Sequence, residues 1–267
     1  MALPLVKAHA YGNDFLYLEE AAFDRADAPE LARTLCARHT GVGADGLILY
    51  ASTADGAAMR LYNADGSYSE VSGNGVRGLA ALLCWRAAES GRPVPASVVI
   101  TTDAGRKALT VLEAQPPRFV CRAAMGHPTP PVRQVIDVLG EPVDTVVLCV
   151  GNPQCVVLEP RLDEARYRRL GASLEHHPAF PEGTNVEFAV VERPDHIRIL
   201  IWERGVGPTT ASGTGACAAA AAAIAFGGAA RDVQVASPGG TQRVEWVEDG
   251  LYLTGWAEVL WEGRWVG

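Results

Sequence analysis

The apolar pattern of the chain reads twice. Residues 5–18 run as a strand, break at Tyr11-Gly12-Asn13-Asp14 and resume as a strand. Residues 146–150, the break Gly151-Asn152-Pro153-Gln154 and residues 155–159 repeat that unit, with Gly151 lying 139 residues after Gly12 (151 − 12). A helical pattern follows each unit, at 29–38 and at 162–174. A glycine-containing turn then leads into a strand: Gly41-Val42-Gly43-Ala44-Asp45-Gly46 before 47–50, and Glu182-Gly183-Thr184-Asn185 before 186–191. Apolar strands at 59–63 and 196–202 feed two near-identical segments, Ser72-Gly73-Asn74-Gly75 and Ser212-Gly213-Thr214-Gly215, 140 residues apart (212 − 72). Each segment reads as a tight turn opening an alanine-rich apolar helix, and the first is preceded by a strand end at Glu70-Val71. Strand pairs 98–102 with 108–112 and 233–236 with 241–246 close both halves.

A long offset shared in order by several features marks a duplicated domain; solenoid periods are shorter, about 20–50 residues. The class predicted is α+β, with two pseudo-symmetric halves, each a curled, mostly antiparallel sheet around a central helix. Gln115-Pro116-Pro117-Arg118 suggests the boundary, giving halves 1–115 and 116–250. Residues 251–265 have no visible counterpart, and the segment 251–267 is expected to return to the first half. The ligand is expected in the cleft between the halves, a common place for one.

Composition narrows the function. At 267 residues the chain has room for two cores, and its formal charge of −8 argues against a general nucleic-acid binder. The longest apolar run, 216–225, is alanine-dominated and far shorter than the roughly 20 residues a membrane span needs, so it is expected to be a buried helix. No secretory signal pattern opens the chain, and the six cysteines form no C-x-x-C pair; they are expected to be free thiols of a cytoplasmic protein. The six histidines show no metal-ligand spacing, so no metal is predicted.

The recurring loops carry amides: Asn13, Asn63, Asn74, Asn152 and Asn185. Singly, each suits a turn; spread over corresponding loops, they suggest a polar pocket. The free N–H groups at the two helix starts suit a small anion. Ser72 and Ser212 are placed either to cap those helices or to face what is bound there. Glu203-Arg204 after an apolar strand is either a surface pair or a guanidinium fork for a carboxylate, with Glu203 holding an amino group or polarising a neighbour. Cys217, about one turn into its helix, reads as core.

Together, Lys7-Ala8-His9-Ala10-Tyr11-Gly12-Asn13-Asp14-Phe15, Asn63-Ala64-Asp65-Gly66-Ser67, Gly73-Asn74-Gly75-Val76-Arg77, Gly151-Asn152-Pro153, Glu203-Arg204-Gly205-Val206-Gly207, Gly213-Thr214-Gly215-Ala216-Cys217-Ala218 and Pro238-Gly239-Gly240 resemble the diaminopimelate epimerase family over nearly the whole chain. The resemblance implies inversion of one α-carbon of LL-diaminopimelate to the meso form by two-base proton transfer, without cofactor, in a homodimer. It implies that backbone N–H groups around Gly73-Asn74 and Gly213-Thr214 hold the α-carboxylate. Asn63, Asn152, Asn185 and Arg204 would recognise the distal end, and Asn13 would line the pocket.

The departures concern the chemistry. The family's two catalytic cysteines correspond to Ser72 and Ser212. Its usual His, Glu and Gln nearby correspond to Gln154, Pro208 and Gly46. A cysteine thiol ionises near pH ~8.5, whereas an unassisted alcohol resembles water at about 15.7. The gap of about 7 units corresponds to about 10 kcal/mol. Serine therefore needs strong activation, and Glu203 is the one candidate activator. Serines introduced only to trap substrate would not require the other three departures, which favours a natural variant. Two further functions stay open: a racemase, isomerase or dehydratase on another amino acid, and an inactive amino-acid-binding homologue.

Overall fold

The structure, a computed structural model, describes residues 2–23 and 27–267. They form two compact units, Met1–Ala123 with Gly255–Gly267, and Ala124–Thr254.

In the first unit β1 (Leu3–Ala10) and β2 (Asn13–Glu19) make an antiparallel hairpin. Its turn residues Tyr11 and Gly12 both have positive φ, 56° and 87°, the left-handed geometry that matches strand twist in a two-residue hairpin. Helix α1 (Ala28–Cys36) carries the chain to β3 (Gly46–Thr53), parallel to β2. Strand β4 (Gly56–Asn63) returns antiparallel, and the short β5 (Tyr68–Ser69) follows. Glu70 and Val71 lie outside any strand, so the strand end expected there stops earlier. Helix α2 (Gly73–Glu89) crosses to β6 (Ser97–Thr102), parallel to β4, and β7 (Gly105–Gln115) and β8 (Arg118–Gly126) follow as antiparallel ribbons.

The second unit repeats this order. Strand β9 (Val132–Val138) pairs with β10 (Glu141–Cys149), β10 with β11 (Pro153–Leu158), and α3 (Glu164–Glu175) leads to β12 (Asn185–Arg193), parallel to β11. Strands β13 (His196–Glu203) and β14 (Gly207–Thr209) precede α4 (Gly213–Ala222), which crosses to β15 (Asp232–Ser237), parallel to β13. Strand β16 (Gly240–Val247) and the long β17 (Gly250–Trp265) finish the chain.

Two sequence expectations change. Gln115-Pro116-Pro117-Arg118 is the turn between β7 and β8, inside the first unit, and the division falls after Ala123. Residues 251–265 do have a counterpart. The last part of β17 pairs with β1 as β9 pairs with β10, and its first part follows β16 as β8 follows β7.

Side-chain alternation in β11 and β12 sorts residues between two helices. Cys155, Val157, Val186 and Phe188 pack with α3, while Val156 and Ala189 pack with α4. That period of two also puts Gln154 and Glu187 on the α4 face. Helix α4 is buried at every position but Thr214, as a helix apolar all round must be. Its alanines keep it thin enough for a curled sheet to surround it. All six cysteines are free, five of them buried. Burial pushes the Cys36 and Cys84 thiols up to about 12 and Cys121 up to about 11, so these thiols stay protonated. No helix among the described residues is long and apolar enough to cross a membrane.

Candidate active site

The two Ser-Gly turns open the two central helices. Ser72, in extended backbone, caps α2, and its Oγ accepts from the Gly75 N–H at 3.1 Å. Ser212 caps α4 in the same way, accepting from the Gly215 N–H at 3.2 Å. Each cap ties down one first-turn donor and leaves others for an anion.

Around the start of α2, Asn74 Nδ2 donates to Asn13 Oδ1 (3.2 Å), and Asn74 Oδ1 accepts from Arg77 (3.3 Å). Asn13 Nδ2 in turn donates to Asp45 Oδ2 (2.7 Å), which also takes the Asp14 N–H (3.0 Å). Arg38 bridges Asp14 and Asp45, and Lys7 pairs with Asp14 at 2.7 Å. Burial raises the Asp14 pKa, but the Arg38 and Lys7 contacts outweigh it and hold the carboxyl below its ordinary value. Asn13 is therefore clamped by a charged network that the sequence did not reveal, because its members are scattered. Asn63 lies in the turn after β4, donating to Ser67 Oγ at 3.0 Å. The Ala64 N–H of that turn donates to the Asp45 carbonyl.

In the second unit Thr214 Oγ1 lies 3.5 Å from Ser212 Oγ, and Gly213 is buried. Asn185 joins the start of β11 to the turn after β13: its Nδ2 donates to the Pro153 carbonyl and its Oδ1 accepts the Arg204 N–H, both at 3.0 Å. The Arg204 guanidinium reaches the Glu182 carbonyl at 3.0 Å. A depression of about 320 Å³, lined by Pro153, Phe180, Pro181 and Gly183, lies beside these loops.

Glu203 ends β13 with its side chain half-buried. The described hydrogen bonds of Ser212 Oγ go to Gly215 and Thr214, so the expectation that Glu203 activates a serine gains no contact. The carboxyl that does approach the start of α4 is Glu187, fully buried. A Cβ on Gly215 would lie 2.7 Å from Glu187 Oε1 and 3.2 Å from Ser212 Cβ. Burial, with the charge of Glu203 nearby, raises the Glu187 pKa well above that of an ordinary carboxylate. The sequence signal was available: Glu187 is a charged residue at an inward position of an apolar strand.

The crowding at Gly215 gives a direct check. Gly215→Ala is expected to cost about 1–3 kcal/mol in denaturant unfolding, as overpacking does. Gly73→Ala, where nothing lies within 4 Å, should change stability by under about 0.5 kcal/mol.

Glu175 behaves oppositely to Glu187. It is also buried, but its carboxylate accepts the Gly205 N–H and the Trp202 indole N–H, each at 2.6 Å. Burial raises its pKa, yet these hydrogen bonds outweigh burial and leave the pKa lowered. A depressed folded pKa means stabilisation present above the unfolded value and lost as pH falls through the folded one. Glu175→Gln should melt a few degrees below the native protein at pH 7, with the difference shrinking only as pH falls below the ordinary carboxylate range.

Among the described residues no group of three or more His, Cys, Asp or Glu is arranged to hold a metal.

Residues 5–129 and 146–260 match the family model described as diaminopimelate epimerase. A diaminopimelate epimerase of Desulforudis audaxviator is 38% identical over 276 residues, covering 99% of each chain. Another, of Desulfitobacterium hafniense, is 38% identical over 280 residues, covering 98% of this chain and 97% of that one. Among solved structures, a phenazine biosynthesis protein of the PhzF family from Bacillus anthracis matches over the full length of both chains with TM-score 0.71 at 15% identity. A hydroxyproline epimerase from Agrobacterium vitis matches with TM-score 0.70 at 16% identity, covering 98% of this chain and 92% of that one. These two share the fold. The repeated α+β units, the paired Ser-Gly helix starts and the full-length sequence matches lead to one assignment: the chain belongs to the diaminopimelate epimerase family.

Proposed function

We propose that the protein is a cofactor-independent amino-acid epimerase of the diaminopimelate type, converting the LL isomer to the meso form. The observation that carries this reading is the pair of Ser-Gly turns, each opening a buried central helix in a chain of this family. Inversion needs one group to take the α-proton and another to return a proton to the opposite face. Ser72 and Ser212 are the residues for those two roles. First-turn N–H groups around Gly73-Asn74 and Gly213-Thr214 take the α-carboxylate, and the charge that grows there on proton removal strengthens those bonds. Asn63, Asn152, Asn185 and Arg204 take the distal end, and Asn13 stands near the reacting carbon. The same reading has the protein work as a cytoplasmic homodimer.

Serine makes this a weak base pair. Among the described residues, no Asp, Glu, His or Lys side chain is hydrogen-bonded to either Oγ, so neither alcohol has a side-chain base beside it to take its proton. That observation favours a second reading, a homologue that binds the amino acid without turning it over. Chiral chromatography separates the two. Appearance of the meso isomer from the LL isomer supports the epimerase, while binding seen by calorimetry without any meso product selects the binder.

A further inference from the structure

Gln154 and Glu187 are both fully buried and sit on adjacent strands facing α4. The Gln154 Nε2 donates to Asn152 Oδ1 at 2.6 Å. The other end of the same amide, its Oε1, lies 3.0 and 3.2 Å from the two carboxyl oxygens of Glu187. Two oxygens at that distance repel unless one carries a proton. The contact is resolved either by a proton on Glu187, which then donates to Gln154 Oε1, or by turning the amide round. Turning it places Gln154 Oε1 against Asn152 Oδ1, which forces the Asn152 amide to turn as well. One proton on Glu187 satisfies the whole chain as it stands. Its surroundings agree: Glu187 is shut from solvent, its electrostatic neighbour is another carboxylate, Glu203, and among the described residues no cation pairs with it.

We infer that Glu187 is a positioning residue that keeps its acid proton and, through Gln154, turns Asn152 so that its Nδ2 amino group is the donor offered to the ligand, selecting a carboxylate there over an ammonium. The hydrogen bonds run one way, from Glu187 O–H to Gln154 Oε1 and from Gln154 Nε2–H to Asn152 Oδ1. With Asn152 Oδ1 occupied, its two N–H groups are what remains for recognition. An ionised Glu187 would reverse every link and offer an oxygen instead. This inference rests on Asn152 contacting the ligand, as the proposed function has it, but its first arm needs no ligand.

That arm is spectroscopic. The native protein should show the infrared carbonyl band of a protonated, water-excluded carboxylic acid, and Glu187→Gln should remove it. In ¹⁵N NMR, the side-chain amide resonances of Gln154 and Asn152 should hold their positions in Glu187→Gln, which still donates, and move in Glu187→Leu, which cannot. The second arm is calorimetric titration with LL-diaminopimelate and with lysine, which lacks the distal carboxylate. Glu187→Gln should bind diaminopimelate within about twofold of the native protein, and Glu187→Leu about tenfold more weakly, as for one lost hydrogen bond. Asn152→Ala should lose a similar factor, and the Glu187→Leu/Asn152→Ala double variant little more, because the two residues act as one unit. Absence of the infrared band, or fully additive losses, overturns the inference. If Glu187→Leu does not fold, the band and its loss in Glu187→Gln still decide. Failure of diaminopimelate to bind the native protein, with the band present, counts against the proposed function alone and leaves the proton assignment standing.

Discussion

Changing Ser72 and Ser212 together to cysteine should raise α-proton exchange of LL-diaminopimelate by at least about a thousandfold. The reason is the difference in acidity. An alcohol and a thiol differ by about 7 pKa units, equivalent to about 10 kcal/mol in forming the base. Only part of that reaches the transition state, because a stronger base also abstracts faster once formed. With half of it, about 5 kcal/mol, reaching the barrier, the gain is more than a thousandfold. Both caps should survive the change, since each Oγ accepts a single backbone N–H, from Gly75 or Gly215, which a sulfur also accepts. Either single variant should gain much less, because inversion uses both positions in turn. Equal rates for the native protein and the double variant, with diaminopimelate bound by both, would show that Ser72 and Ser212 are not the proton-transfer positions.

The second large effect is on stability, at Gly78→Ala. Gly78 lies in the middle of α2, where alanine would ordinarily be favoured by about 1 kcal/mol. Here a Cβ would lie 2.1 Å from Tyr17 Oη and 3.1 Å from Tyr17 Cζ. Tyr17 is buried, and its hydroxyl donates to the Gly75 carbonyl at 3.0 Å, so the ring is fixed from both sides. The substitution should cost about 3 kcal/mol, at the upper end of overpacking penalties. It should also disturb the first turn of α2, where Gly75 sits. Tyr17→Phe removes the colliding oxygen, so the Gly78→Ala/Tyr17→Phe protein should be more stable than Gly78→Ala alone. Denaturant midpoints measure both. A neutral Gly78→Ala, or no rescue, would mean that Tyr17 does not press on the helix.

The duplicated order of strands and helices was legible because each repeated feature has a local cause. Tyr11-Gly12 and Gly151-Asn152 punctuate strands, and Ser-Gly turns begin helices with a residue that can cap them. The two Ser caps appear as their residue type allows. Residues 132–138 escaped because β9 is mostly exposed, with its first four residues open to solvent, so no apolar alternation marks it. Residues 251–260 of β17 alternate cleanly, but alternation tells which face a residue takes and not which strand lies beside it. The change of partner from β16 to β1 is therefore silent in the sequence. Around the candidate site, the amides and glycines stood out by motif. The groups that hold them did not: Asp45 and Arg38 reach Asn13 from elsewhere in the chain, and Glu187 looks like a misplaced charge until Gln154 is found beside it. Glu203, the carboxylate singled out by its motif, contributes charge near Glu187 instead of a described contact with Ser212.

The most direct measurement follows the α-proton of LL-diaminopimelate by NMR in heavy water, with the native protein and the Ser72→Cys/Ser212→Cys protein side by side. Exchange accompanied by meso isomer is expected in both samples, slow with serine and at least about a thousandfold faster with cysteine. Exchange in the cysteine protein alone would select the binding homologue over the epimerase. No exchange in either would contradict the assignment of this substrate and of these two positions.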